Sequence, residues 1–316
     1  MVSGWGQGIS KARRTPVGDG GDEPSVLIFG DGQQACAAAT IAAQSVGARV
    51  IGAEPIEGAI DRLSRQAAVD SVLIELDDQC GPMRDRLLDW ANHAARDGTA
   101  STVISMPGSM IDAVFARIDE PKVILLCDPG VEDRAAALGL ALAERRHTLH
   151  DHGMEADAER LRRLSEEVAR IAGTLAELSS SARTVAYAPP KDALAKGAEF
   201  ALDAGTVRAF IRVRRLREQF FPEELFADPA WDMLLDLMAA RLERGRVAVS
   251  SLCIAAAVPA TTALRWIRTL TEHGLFVRRH DPEDGRRIFI ELSDEASEAV
   301  AAYFRTARQN GLILET

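Results

Sequence analysis

Ser250–Arg287 reads SSLCIAAAVPATTALRWIRTLTEHGLFVRRHDPEDGRR, and the order of its parts decides the C-terminal fold. Leu252, Ala255 and Ala256 give a short first helix an inward face. Ala257-Val258-Pro259 makes a tight turn, with Pro259 placed to start the next helix. In that second helix Leu264, Ile267 and Leu270 face inward at helical spacing, leaving Ala260, Thr261, Thr262, Arg265, Trp266 and Arg268 on or near the outer face. Gly274 is placed to end it in a left-handed cap. Leu275–Arg279 and Arg286–Leu292 then form two strands around the turn Asp281–Gly285. Helix, turn, helix and basic hairpin imply an element that enters the DNA major groove beside arginines that grip the neighbouring backbone. Thr261 and Thr262 suit phosphate or base-edge contact, and Arg265 suits guanine. Trp266 sits at a position that favours core anchoring over base contact.

Charge supports this reading only when it is located. The chain has 316 residues and a formal net charge of -10, which as a total argues against nucleic acid. From Gly205 to Ile290, however, fourteen arginines and no lysine stand against eleven carboxylates, so the acidity lies elsewhere. Gly205–Phe221 and Ala230–Glu243 carry helical patterns ahead of the decisive stretch, and Asp294–Gln309 carries one after it, with Ser293 as its N-cap.

Upstream the rhythm changes. Val26–Phe29, Arg49–Ala53, Ser71–Leu76, Ser101–Ser105 and Lys122–Cys127 are short apolar runs, each followed by an amphipathic stretch: Ala35–Val46, Ile56–Ala67, Met83–Arg96, Met110–Ile118 and Val131–Arg145. That alternation predicts a five-stranded parallel sheet covered on both faces, a flavodoxin-like α/β domain. In Glu155–Ser180, Leu161, Leu164, Val168, Ile171, Leu175 and Leu178 recur at spacings of 3, 4, 3, 4, 3, the seam of a short parallel coiled coil that pairs two chains. The expected organisation is a Gly-rich tail (1–24), the α/β domain (25–150), a dimerisation helix (151–182), a linker (183–204) and a winged-helix domain (205–316).

The run TEHGLFVRRHDPEDGRRIFIELSDEA resembles the wing of the MarR family of winged-helix repressors. That family shows a Gly-Leu, an arginine pair, an Asp-Pro-x-Asp turn, further arginine and a strand ending in Leu-Ser or Leu-Thr. The similarity covers about Phe221 to Tyr303, with Ala257 standing where the family's turn commonly has Gly. It implies a dimer on a pseudo-palindromic operator. Arg278, Arg279, Arg286 and Arg287 then serve the wing, with Asp281 or Asp284 bracing its tip. The long N-terminal half departs from the family, which is usually one compact domain.

That half is similar, more distantly, to a response-regulator receiver. The strand order VLIFGDGQ, VDSVLIEL, STVISM, KVILLCDP follows the receiver pattern. The resemblance puts Gly30 and Asp31 at the acidic pair, Glu75 at the phosphoacceptor and Ser105 at the hydroxyl; no Lys ends the fifth strand, where Cys127-Asp128-Pro129 stands. Such a domain presents a permanent carboxylate and takes no phosphate. Asp77 or Asp78 is the substitute acceptor if the chain is a phosphorylation-driven regulator. A rival motif, Gly30-Asp31-Gly32-Gln33-Gln34-Ala35 with Glu54 about twenty residues on, has the GxGxxA pattern of a dinucleotide loop. Asp31 places a negative charge beside its phosphate position.

Cys36, Cys80, Cys127 and Cys253 lack ligand spacing and fit a reducing cytoplasm. His147, His150 and His152 with Asp151 form a metal-capable cluster that more often ends a helix. No signal pattern or long apolar run appears, and no Ser, Cys or His falls into a triad-like arrangement. The expectation is a cytoplasmic, homodimeric, sequence-specific DNA-binding regulator without enzymatic activity, cofactor or metal. Its front domain senses a signal or binds another regulatory protein. The alternatives are a phosphorylated response regulator, an adaptor of the transcription machinery and a nucleotide-sensing regulator.

Overall fold

A computed structural model describes residues 23–78, 81–151, 202–221, 226–284 and 287–311, leaving aside the side chains of 146–151. The heptad segment, His152, Cys80 and Arg286 lie outside the described residues. So do the side chains of His147 and His150.

Strands β1 (Ser25–Gly30), β2 (Arg49–Glu54), β3 (Ser71–Glu75), β4 (Ser101–Met106) and β5 (Ile124–Cys127) form one parallel sheet in the order β2-β1-β3-β4-β5. This is the flavodoxin-like order. Helices α1 (Gln33–Ser45) and α5 (Val131–Asp151) cover one face; α2 (Ala59–Arg65), α3 (Pro82–Arg96) and α4 (Ile111–Arg117) cover the other. Strand alternation sorts the core. Val26 and Ile28 point to Ala39 and Leu138, while Leu27 and Phe29 join Leu87, Leu88 and Phe115. All of β3 is buried, which explains its unbroken apolar run. Because β5 pairs only with β4, its far side is a sheet edge.

The C-terminal part contains α6 (Ala204–Leu216), α7 (Pro229–Leu242), β6 (Val247–Ala248), α8 (Val249–Ala255), α9 (Ala260–Glu272), β7 (Phe276–His280), β8 (Ile288–Leu292) and α10 (Asp294–Gln309). The three strands make an antiparallel sheet in the order β6-β8-β7. Caps mark the helix starts: Asp203 accepts from the Thr206 amide, Asp228 from Trp231 and Ser293 from Ala296. Ala257 takes φ 52° in the turn between α8 and α9, and Gly274 takes φ 71° after α9. Glycine carries no steric cost there, whereas alanine does. The wing differs from expectation at one end: β8 begins at Ile288, so Arg287 belongs to the turn. There its carbonyl accepts from the Asp281 amide and its own amide donates to the Asp284 carbonyl.

The two parts are not independent bodies. One cluster of buried apolar residues runs from Leu27, Leu87 and Phe115 through Val249, Ile267 and Phe276 to Phe304. No single helix among the described residues is long and apolar enough to cross a membrane.

Candidate nucleic-acid interface

Helix α9 is held from within. Ala263, Leu264, Ile267 and Leu270 are buried, and Ala260 and Trp266 pack partly against the same core. Trp266 thus serves as an anchor in this arrangement. Arg265 is exposed and Thr262 half-buried. In the wing, Arg279 is exposed and pairs with Glu291 at 3.4 Å. Asp284 pairs with Arg287 at 3.6 Å, and Asp281 accepts the Glu283 amide at 3.0 Å, so the two aspartates shape the turn.

Three of the remaining basic or hydroxyl groups face the α/β domain. The Thr261 hydroxyl accepts the backbone N–H of Cys127 at 2.9 Å. Arg268 donates to the carbonyl oxygens of Val123 and, at 3.4 Å, of Pro121. Arg278 donates to the carbonyls of Phe115 (2.6 Å) and Ile118 (3.4 Å) and pairs with Asp119 at 3.0 Å. At the start of α8, Asp112 accepts from both the Ser250 amide (3.0 Å) and its hydroxyl (2.6 Å). Thr261 and Arg268 are two helical turns apart on one stripe, which lets α9 run along the β5 edge and satisfy its outward backbone groups. Both guanidiniums also lie over the Phe115 ring, at 5.8 Å for Arg268 and 5.0 Å for Arg278.

These are costly places for charge. Burial, aided by the neighbouring Arg278, pushes the Arg268 guanidinium down to about 10. Burial also lowers Arg278, against the pull of Asp119. Arg268 has a buried Nη2 with no hydrogen-bond partner. Beside it an open groove of about 590 Å³ runs between α9, β5 and α5, lined by Lys122, Leu140, Glu144, Thr262 and Arg265 among others.

The receiver-like position is closed. Glu75 and Arg134 are 3% and 7% exposed and form a two-pronged ion pair, at 2.9 Å and 2.7 Å. Ser105 donates to the same carboxylate at 3.0 Å. Arg134, in the first turn of α5, supplies the cation that the sequence lacks at the end of β5; its location there was visible, its partner was not. Asp31 instead accepts the Ile56 amide at 3.0 Å. A Cβ on Gly30 would lie 2.8 Å from the Glu75 Cβ, so this glycine serves close packing. Glu54 is engaged by Arg62 at 3.0 Å and Asp78 by the Ser109 hydroxyl. Among the described residues no cluster of three or more metal-capable side chains occurs. Burial raises the thiols of Cys127 to about 11 and Cys253 to about 12, the opposite of a reactive cysteine.

The C-terminal part is therefore a helix-turn-helix with a wing, and residues 236–296 match the winged helix DNA-binding domain family. Several solved structures are similar to this part of the chain. BpsR of Bordetella bronchiseptica, whose DNA binding is regulated by 6-hydroxynicotinic acid, is 22% identical over 36% of this chain and 80% of its own, with a TM-score of 0.23. A probable transcriptional regulator from Pseudomonas aeruginosa is 21% identical over 34% and 75%, TM-score 0.23. The transcriptional regulator Tm0710 from Thermotoga maritima is 18% identical over 34% and 72%, TM-score 0.24. No curated protein matches the chain in sequence.

Proposed function

We propose that the chain is a sequence-specific DNA-binding transcription regulator that acts as a dimer, with the α/β domain as a sensing or interaction module that takes no phosphate. The observation that carries this is the winged-helix match over α9 and the wing, combined with an exposed Arg265 and an Arg287 braced by Asp284 at the turn. Dimerisation rests on the heptad seam and on the MarR resemblance. Loss of phosphoacceptor chemistry rests on Glu75, whose carboxylate is consumed by Arg134 and Ser105.

The test is retention of sheared genomic DNA by the full-length protein across a salt series, followed by sequencing. A regulator enriches a few palindrome-bearing fragments. Arg265→Ala then relaxes preference at one base pair, at a cost of about 1–3 kcal/mol, while Arg287→Ala weakens all sequences and lowers the salt slope. Equal binding by both variants and the parent would sink the assignment. A second reading has one specific observation in its favour: Thr261, Arg268 and Arg278 already contact protein. A winged helix that docks on proteins alone predicts no DNA retention at any moderate salt.

A further inference from the structure

The helix-turn-helix and the first strand of the wing touch one strip of the α/β domain, while Arg265 and the wing turn stay clear of it. The start of α8 meets Asp112, the outer stripe of α9 meets the β5 edge, and the wing strand β7 meets the end of α4. Apart from the Cys127 amide, which donates to Thr261, what the strip offers is acceptors. Two carboxylates, Asp112 and Asp119, and four carbonyl oxygens, of Phe115, Ile118, Pro121 and Val123, accept from Ser250, Arg268 and Arg278. Those donors are the kinds that bind phosphate oxygens in a protein–DNA complex.

We propose that this strip is a built-in competitor of DNA, holding the winged helix in a masked state in which α9 cannot enter the major groove. The inference rests on the DNA-binding reading above. Geometry makes the two states exclusive. The major groove is about 12 Å wide and a helix with its side chains about 10–12 Å across, so a helix seated in the groove leaves no room for a sheet edge on its outer stripe. Contacts of α8 and of β7 with α4 add to those of α9 with the β5 edge, so α9 is held from more than one element.

Chemistry makes the masked state releasable. Among the described residues Arg268 hydrogen-bonds carbonyls alone, feels another arginine as well as the charges of Glu120 and Glu272, and keeps a buried nitrogen unpaired. Leaving a buried donor unpaired is a standing cost, which phosphate oxygens or water would remove on separation. The polar strip therefore excludes DNA while contributing little to holding the domains together, a task left to the apolar cluster they share, and anything that covers the β5 edge or α4 in place of α9 frees the winged helix.

The experiment uses the full chain with both carboxylates removed or reversed, Asp112→Ala/Asp119→Ala and Asp112→Lys/Asp119→Lys, sites outside the winged helix. DNA affinity is measured on a duplex from the retained genomic pool, or on random-sequence duplex if none is enriched. Hydrogen–deuterium exchange of residues 121–127 and 260–272 reads separation of the domains. If masking holds about nine molecules in ten, apparent affinity of the parent is lowered about tenfold. The expected result is faster exchange of both segments in each variant, with the alanine pair binding DNA about tenfold more tightly than the parent. Faster exchange with unchanged affinity overturns masking but leaves the DNA-binding reading standing. Unchanged exchange in the lysine pair also overturns it, since the carboxylate contacts of the strip then hold nothing in place. Faster exchange with no DNA binding by parent or variants removes the DNA-binding reading itself and masking with it.

Discussion

At the scale of single residues, the Glu75–Arg134 pair is the sharpest departure from receiver-like chemistry. A receiver needs its acceptor carboxylate open to a phosphodonor and a metal; here Glu75 is 3% exposed and both its oxygens are taken. The pair is structural, and its removal is asymmetric. Deleting one partner leaves an uncompensated buried charge, which costs about 3–5 kcal/mol, whereas replacing both by neutral groups of similar volume is close to neutral. Arg134→Met is therefore expected to destabilise the chain by that amount in chemical denaturation, and Glu75→Gln/Arg134→Met to recover most of it. A loss below about 1 kcal/mol for the single variant would show that water reaches Glu75 and that the pocket is open. Arg134 stands 59 residues from Glu75. That separation is why the sequence showed a missing lysine but not its replacement.

At the scale of elements, the α4 end is fixed from behind by a side chain with no motif to announce it. Asn92 on α3 is 7% exposed; its Nδ2 donates to the Arg117 carbonyl at 2.8 Å, and its Oδ1 accepts the amides of Asp119 and Glu120 at 3.1 and 3.2 Å. Arg117 reaches back to Asp89 at 2.6 Å, and the guanidinium holds that carboxyl below its usual range. Together they set the end of α4, where the Phe115 and Ile118 carbonyls and Asp119 receive Arg278. Asn92→Ala leaves up to three backbone groups unpaired, at about 1–3 kcal/mol each for those that stay buried. It should also speed amide exchange at Asp119 and Glu120, while Asn92→Asp, which keeps the acceptor, should slow it again. Equal exchange in parent and Ala variant would mean the loop holds itself. The strands and helices themselves were legible: buried parallel strands leave continuous apolar runs, and Ser293 and Gly274 act where their chemistry places them. The edges of the wing were not, because Arg287 is fixed by backbone hydrogen bonds in the turn, which any residue type can make. The strip facing α9 was illegible for the same reason. Four of its acceptors are main-chain carbonyls, and the Asp112–Ser250 contact joins positions 138 apart.

At the scale of the whole molecule, the shared core has a thermodynamic consequence. The buried cluster passes from Phe115, Ile118 and Val123 to Val249, Ile267 and Phe276 without a break. Neither domain can then lose its fold while the other keeps the interface, so the parent chain should unfold as one unit, with calorimetric and van't Hoff enthalpies in agreement. Reversing the two carboxylates removes the Asp112 contact with the start of α8 and sets a lysine at 119 against Arg278, which should uncouple the halves. Asp112→Lys/Asp119→Lys is expected to show two transitions, or one broad transition whose van't Hoff enthalpy falls well below the calorimetric value. A saturating duplex should do the same to the parent, because it stabilises only the winged helix and only when that domain has left the strip. The two perturbations act on opposite sides of one contact, so they must agree. Two transitions in the unperturbed parent would mean the domains are already separate, and a single sharp transition that persists with DNA bound would mean that duplex and strip are not in competition.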